Sequence, residues 1–263
     1  MSATERFAEV VRRPDHDVPL DEGAFLIAAH AHPELDVDVA LGQLDHLADA
    51  FTGATAAELA TYLFVERGFA GNSDDYDDPR NSYLDDVIAR RLGIPITLSV
   101  LMMEVGRRAG IPVLGVGMPG HFLVREAGLP NQEERWFDPF HGGRELDEAG
   151  CRAIFEGLHG GARSLGPEDL APVSAAAILA RMLANLQRTL LRRAPRDARW
   201  ALQLRLLIPT VPVAERLQAA TMLGSLGAFV EAADVLDDVA EQATGEDQSQ
   251  VAQRARALRA RAN

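Results

Sequence analysis

The chain has 263 residues, of which 47% are hydrophobic and 25% charged, enough apolar content for one large domain or two modest ones. Its formal charge of −13, from 39 acidic and 26 basic side chains, argues against nucleic acid or an anionic membrane as partner. Every basic side chain is arginine, which removes Schiff-base chemistry and a phosphate-loop lysine, and the single cysteine excludes an internal disulfide framework and suits a reducing cytoplasm.

The opening MSATERFAEVVRRPDHD carries no apolar core of signal-peptide length. Up to about Gly71 the pattern predicts short helices. Leu20 to Ala29 opens one that Pro33 closes or interrupts, Val39, Leu41, Leu44, Leu47 and Phe51 form another, and Leu59, Leu63 and Phe64 recur at helical spacing. The stretch NSDDYDDPR from Asn72 to Arg80 is a polar loop. Ser82 is placed to cap a helix carrying Leu84, Val87, Ile88 and Arg91, which Gly93 ends. Pro95 suits the first turn of the next helix, which runs to Arg108 and stops at Gly110. Apolar residues cover most of its circumference, so it is expected to be buried. Its apolar run, Ile94 to Met103, is too short to span a bilayer.

The period then changes to that of strands at Val113 to Met118, His121 to Glu126 and Arg135 to Asp138, with a turn over Ala127 to Glu133. Antiparallel pairing about Leu129-Pro130 puts His121 opposite Asp138, Leu123 opposite Trp136 and Arg125 opposite Glu134. A slip of one residue would separate the first pair. From Pro172 onward every pattern is helical. Stripes run through Ile178, Met182, Leu183, Leu186, Leu190 and Leu191, then Trp200, Leu204 and Leu207, then Leu217, Ala220 and Leu223, then Phe229, Ala232, Leu236 and Val239. Ala201, Leu204 and Leu207 recur as Ala233, Leu236 and Val239, near the ~34-residue period of a tetratricopeptide repeat.

Four motifs stand in order along the middle of the chain: DPRNSYL from Asp78, RLGIPITLS from Arg91, PGHFLVR from Pro119 and DPFHGG from Asp138. On these residues the chain resembles the SirB1 family, over nearly its whole length. The resemblance implies an α+β fold over residues 1–171, transglutaminase-like and of the papain-like cysteine-protease type, with a helical N-terminal segment and a small antiparallel sheet. An all-α, tetratricopeptide-like tail over 172–263 follows. In the wider superfamily a cysteine at a helix N-terminus attacks an amide, a histidine on a neighbouring strand is its base, and an aspartate orients the histidine. Carried over by motif, His121 matches the base and Asp138 the orienting acid, while the nucleophile falls at or near Pro95, which cannot attack.

Two functions therefore stand side by side. One is a module that has lost the thiol mechanism and binds or regulates a protein or peptide, with Arg80, Asn81 and His141 as binding contacts. The other is a hydrolase or acyl-transferase using the His121/Asp138 dyad with a hydroxyl, a water or a metal-assisted nucleophile; Thr97 and Ser99 are the hydroxyls in the first turn of the buried helix. Each feature also has a plain reading. The dyad can be a buried pair that pins register, Thr97 can bond a carbonyl one turn back, and Arg80 and Asn81 can close a loop. His121, Asp138 and His141 match a two-histidine, one-carboxylate ligand set only loosely, so neither metal nor cofactor is expected. His30 and His32 suit a solvated helix end. Cys151, after Asp147 and Glu148, is expected to be a packing residue whose acidic neighbours raise its pKa. No membrane association and a cytoplasmic location complete the expectation.

Overall fold

The computed structural model describes residues 1–127, 134–161 and 163–262. They divide into two compact units, one covering Met1–Met182 and the other starting at Leu183.

The first unit opens with α1 (Ala3–Val11), α2 (Leu20–Ala29), α3 (Val37–Asp49) and α4 (Ala56–Thr61), which continues as one π-helical turn over Tyr62–Glu66. Local chemistry sets these starts. Ser2 with Glu5 and Thr55 with Glu58 form reciprocal caps on α1 and α4, and Asp36 accepts the first free amides of α3. In α3 the core face is Val37, Ala40, Leu44, Leu47 and Ala48; Val39 points outward, contrary to the expected stripe. Short strand β1 (Ala70–Gly71) precedes a 3-10 turn at Pro79–Asn81 and α5 (Leu84–Arg90). The cap of α5 is Tyr83, with no side-chain bond, and Ser82 instead closes the 3-10 turn. The helix ends just before Gly93, because Arg91 takes the left-handed conformation (φ 58°). That frees β2 (Leu92–Gly93) to pair in parallel with β1, Gly71 beside Gly93.

Helix α6 (Pro95–Arg108) follows at once, with Pro95 at its first turn and eleven buried residues. Its last turn carries Arg107 and Arg108, which complement the helix dipole and bridge Asp21 and Glu104. Strands β3 (Val113–Val116), β4 (Leu123–Glu126), β5 (Trp136–Asp138) and β6 (Arg144–Leu146) form an antiparallel meander in that order. Strand β6 was not expected; at three residues it is too short to show a period. Alternation splits the sheet cleanly. Gly115 faces Met103 of α6 and Ile178 of α8 (Ala175–Arg193), while Val116, Leu123, Trp136 and Leu146 pack on Cys151 and Phe155 of α7 (Glu148–His159).

The register differs from expectation. Arg125 pairs with Trp136 and Val124 with Phe137, an offset of two residues from the predicted alignment. His121 therefore precedes β4 instead of sitting inside it, diagonal to Asp138 and not opposite it. An even offset preserves the face, so the two side chains still share one side. The expected turn lies largely at 128–133, outside the described residues.

The second unit contains the end of α8 and then α9 (Ala198–Leu206), α10 (Val213–Ser225), α11 (Phe229–Gln242) and α12 (Gly245–Ala262). Leu202, Leu223 and Ala232 form one apolar cluster, and Ala220, Leu236 and Ala255 belong to a second. No helix among the described residues is long and apolar enough to cross a membrane.

Candidate functional site

Asp138 is the hub. It ends β5, is fully buried, and caps the 3-10 turn Pro139–His141 by accepting the His141 amide at 3.3 Å. Its Oδ1 stands 3.0 Å from His121 Nε2 and its Oδ2 2.7 Å from His141 Nδ1. Burial pushes this carboxyl up, but the hydrogen bonds and charge of His121 and then His141 outweigh it and hold it below the usual aspartate range. An ionised carboxylate only accepts, so His121 donates from Nε2, and in the neutral ring the lone pair is on Nδ1. That is the tautomer a base needs, and Asp138 fixes it.

The turn is seated by glycines and aromatic rings. Gly142 and Gly143 take φ of 77° and 71°, which lets the Gly143 amide return to the Asp138 carbonyl at 2.9 Å. A Cβ on Gly71 would stand 2.5 Å from both the carbonyl and the ring of Phe140, so β1 and the turn touch at a position without room for a side chain. Phe140 meets Tyr76 and His121 edge-on, at centroid distances of 5.8 and 6.4 Å. Since Gly71 pairs with Gly93, this contact also brings the turn toward the chain leading into Pro95.

His121 is held from behind by Arg181 of α8. Its guanidinium donates to the carbonyls of Gly117 (2.6 Å), Met118 (2.8 Å) and His121 (2.6 Å), and lies over the Phe122 ring. Sequence reasoning missed this residue. The available signal was an arginine next to the buried stripe of Ile178 and Met182.

The remaining expected residues lie in a neighbouring network. Asn81 is fully buried, accepts from Asn72 at 3.0 Å and donates to the Asp75 carbonyl at 2.8 Å. Arg80 forks onto Asp78, which Arg90 also reaches, and its side chain stays 60% exposed. Thr97 Oγ1 is committed locally: it accepts from the Ile94 amide at 3.1 Å and donates to the Asn81 carbonyl at 2.7 Å. Ser99 Oγ is buried without a hydrogen-bond partner among the described residues. Cys151 lies in the apolar cluster beneath the sheet. Burial, then Asp147, Asp138 and Glu148, push its thiol up to about 12, so it is neutral at pH 7.

Two groups bring possible metal-ligand atoms within 4.8 Å of one another: His121, Asp138 and His141, and, unanticipated, His32, Asp85 and Asp86. In the first, separations of 2.7 and 3.0 Å are those of N–H···O bonds, in which the ring nitrogens carry protons. In the second, His32 is tied to Asp85 at 2.6 Å and meets Tyr83 edge-on, so it is not simply a solvated helix end.

A family profile described as the transglutaminase-like superfamily matches residues 27–184. The chain belongs to that superfamily. The match spans every residue of the Asp138 hub and Arg181. Among relatives of the superfamily domain, a UPF0162 protein of Xylella fastidiosa (strain Temecula1) is 38% identical over 224 residues, 77% of this chain and 76% of its own. The UPF0162 protein of Pseudomonas aeruginosa is 36% identical over 176 residues, 64% of this chain and 63% of its own. F-box only protein 21 of Homo sapiens is 33% identical over 130 residues, 47% of this chain and 20% of its own. No solved structure matches.

Proposed function

We propose that this protein is a binding or regulatory module on a transglutaminase-like scaffold, holding a peptide or protein segment at His121 without attacking it. The observation that carries the reading is the start of α6. Pro95 occupies its first turn, at or near the place where the resemblance seats a thiol, and its ring offers neither nucleophile nor amide proton. The other nucleophiles support the same reading, since Cys151 is neutral in an apolar cluster and the Thr97 hydroxyl is bound to backbone. Arg80 and His141, with side chains 60% and 57% exposed, are the contacts for a segment, and buried Asn81 keeps their loop closed. The similarity to a 130-residue part of the much longer F-box only protein 21 supports a domain that works as a module. Short links between α10 and α11 and between α11 and α12 support tetratricopeptide-like hairpins in the second unit, a further protein-binding surface. We place this activity in the cytoplasm.

A second reading draws on one specific observation. The His121 tautomer set by Asp138 suits a hydrolase or acyl-transferase in which His121 activates a water. One experiment separates the two. Wild type and His121→Ala are assayed on esters, amides and glutamine-containing peptides, and against a synthetic peptide array. Binding without turnover, weakened about tenfold by His121→Ala at unchanged circular dichroism, is the expected result. Turnover that disappears with His121→Ala overturns the module in favour of the hydrolase.

A further inference from the structure

On the α7 side of the sheet, Arg125 and Trp136 are cross-strand partners. Both carry a buried N–H donor without an acceptor among the described residues: Arg125 Nε and Trp136 Nε1. Trp136 is only 2% exposed. A buried indole N–H almost always finds a partner, and leaving one unmade is unfavourable. Two such donors on adjacent side chains therefore point to the same missing acceptor. Both side chains line one cavity of about 380 Å³. None of its lining residues is His121, Asp138 or His141.

The walls say what the acceptor is attached to. Leu165, Pro167, Leu170 and Pro172 supply an apolar surface. The charges at the rim are already balanced, Arg125 by Glu134 at 2.6 Å and Arg152 by Glu148 at 2.7 Å. Glu134 takes Nη1 of Arg125 and leaves the Nε hydrogen without an acceptor. A planar group with two acceptor oxygens would satisfy Arg125 Nε with one and Trp136 Nε1 with the other. Such a bond to guanidinium is charge-assisted.

We propose that this cavity is a binding site for a small monocarboxylate with an apolar body, its carboxylate between Arg125 and Trp136. The protein has two tryptophans, so the Trp136 indole N–H is one of two resonances in its region of a ¹H–¹⁵N spectrum, assigned by Trp200→Phe. The full chain is titrated with phenylacetate, and in parallel with its neutral isostere phenylacetamide and with chloride. The expected result is a saturating shift of the Trp136 indole resonance alone, with an apparent Kd of about 1 mM or tighter. Arg125→Met, which leaves the core intact, should weaken it about tenfold, the loss of one charge-assisted hydrogen bond. A Trp136 resonance unmoved by phenylacetate overturns the site. An equal response to phenylacetamide or chloride, or no effect of Arg125→Met, overturns the carboxylate assignment.

Discussion

Replacing Arg181 by methionine removes one guanidinium and its hydrogen bonds to three carbonyls, those of Gly117, Met118 and His121. A hydrogen bond to a charged group contributes about 1.5–3 kcal/mol net. The three bonds share one partly buried cation and are not additive, so we expect a loss of about 3 kcal/mol for Arg181→Met. Lysine keeps the charge but cannot fan three donors across this loop, and Arg181→Lys should recover only about 1 kcal/mol of that. Because the chain has two compact units, unfolding must be followed in the first one alone. In a Trp200→Phe background the remaining indole, Trp136, reports that unit, and urea gives the midpoint. At a slope of roughly 2 kcal/mol/M, the shift is about 1.5 M. The imidazole ¹⁵N shifts of His121 supply a second measure, since release of the loop should abolish the fixed tautomer and Arg181→Lys should partly restore it. A stability loss under about 1 kcal/mol, or an unchanged His121 tautomer in Arg181→Met, would refute the claim that this side chain positions the histidine.

Two further outcomes come from the charges of the site. The Asp138 carboxyl is held below its unfolded value of about 3.9, so the unfolded chain binds the extra proton and the group's contribution is complete above about pH 5. Below about pH 5 the stability difference between wild type and Asp138→Asn should therefore shrink as pH falls through about 4; a difference that grows over that range contradicts the sign. With a thiol pKa of about 12, Cys151 is ionised to roughly one part in ten thousand at pH 8, against about a quarter for a free thiol. Iodoacetamide should react about a thousandfold more slowly with native protein than with the urea-unfolded chain, and equal rates would return Cys151 to the list of nucleophiles.

Much of the scaffold was legible without coordinates because its causes are local. The span of α6 follows from Pro95 at one end and the Arg107–Gly110 stretch at the other, and strand-like alternation marked β3, β4 and β5. The conjunction of His121, Asp138 and His141 was also legible, since an even error in register leaves parity intact. Where local signals compete, the reading failed. Ser82 looked like the cap of α5, but the chain uses that residue to close the Pro79–Asn81 turn, and Arg91 rather than Gly93 takes the left-handed bend.

Sequence by itself determined the periodicities and the composition of the core, because each depends on residues only a few positions apart. Tertiary structure alone decided which register β4 and β5 adopt and that Arg181 reaches 60 residues back to the His121 carbonyl. Those facts depend on which buried groups find partners once the chain is packed, and no local pattern encodes how a donor and an acceptor distant in sequence meet.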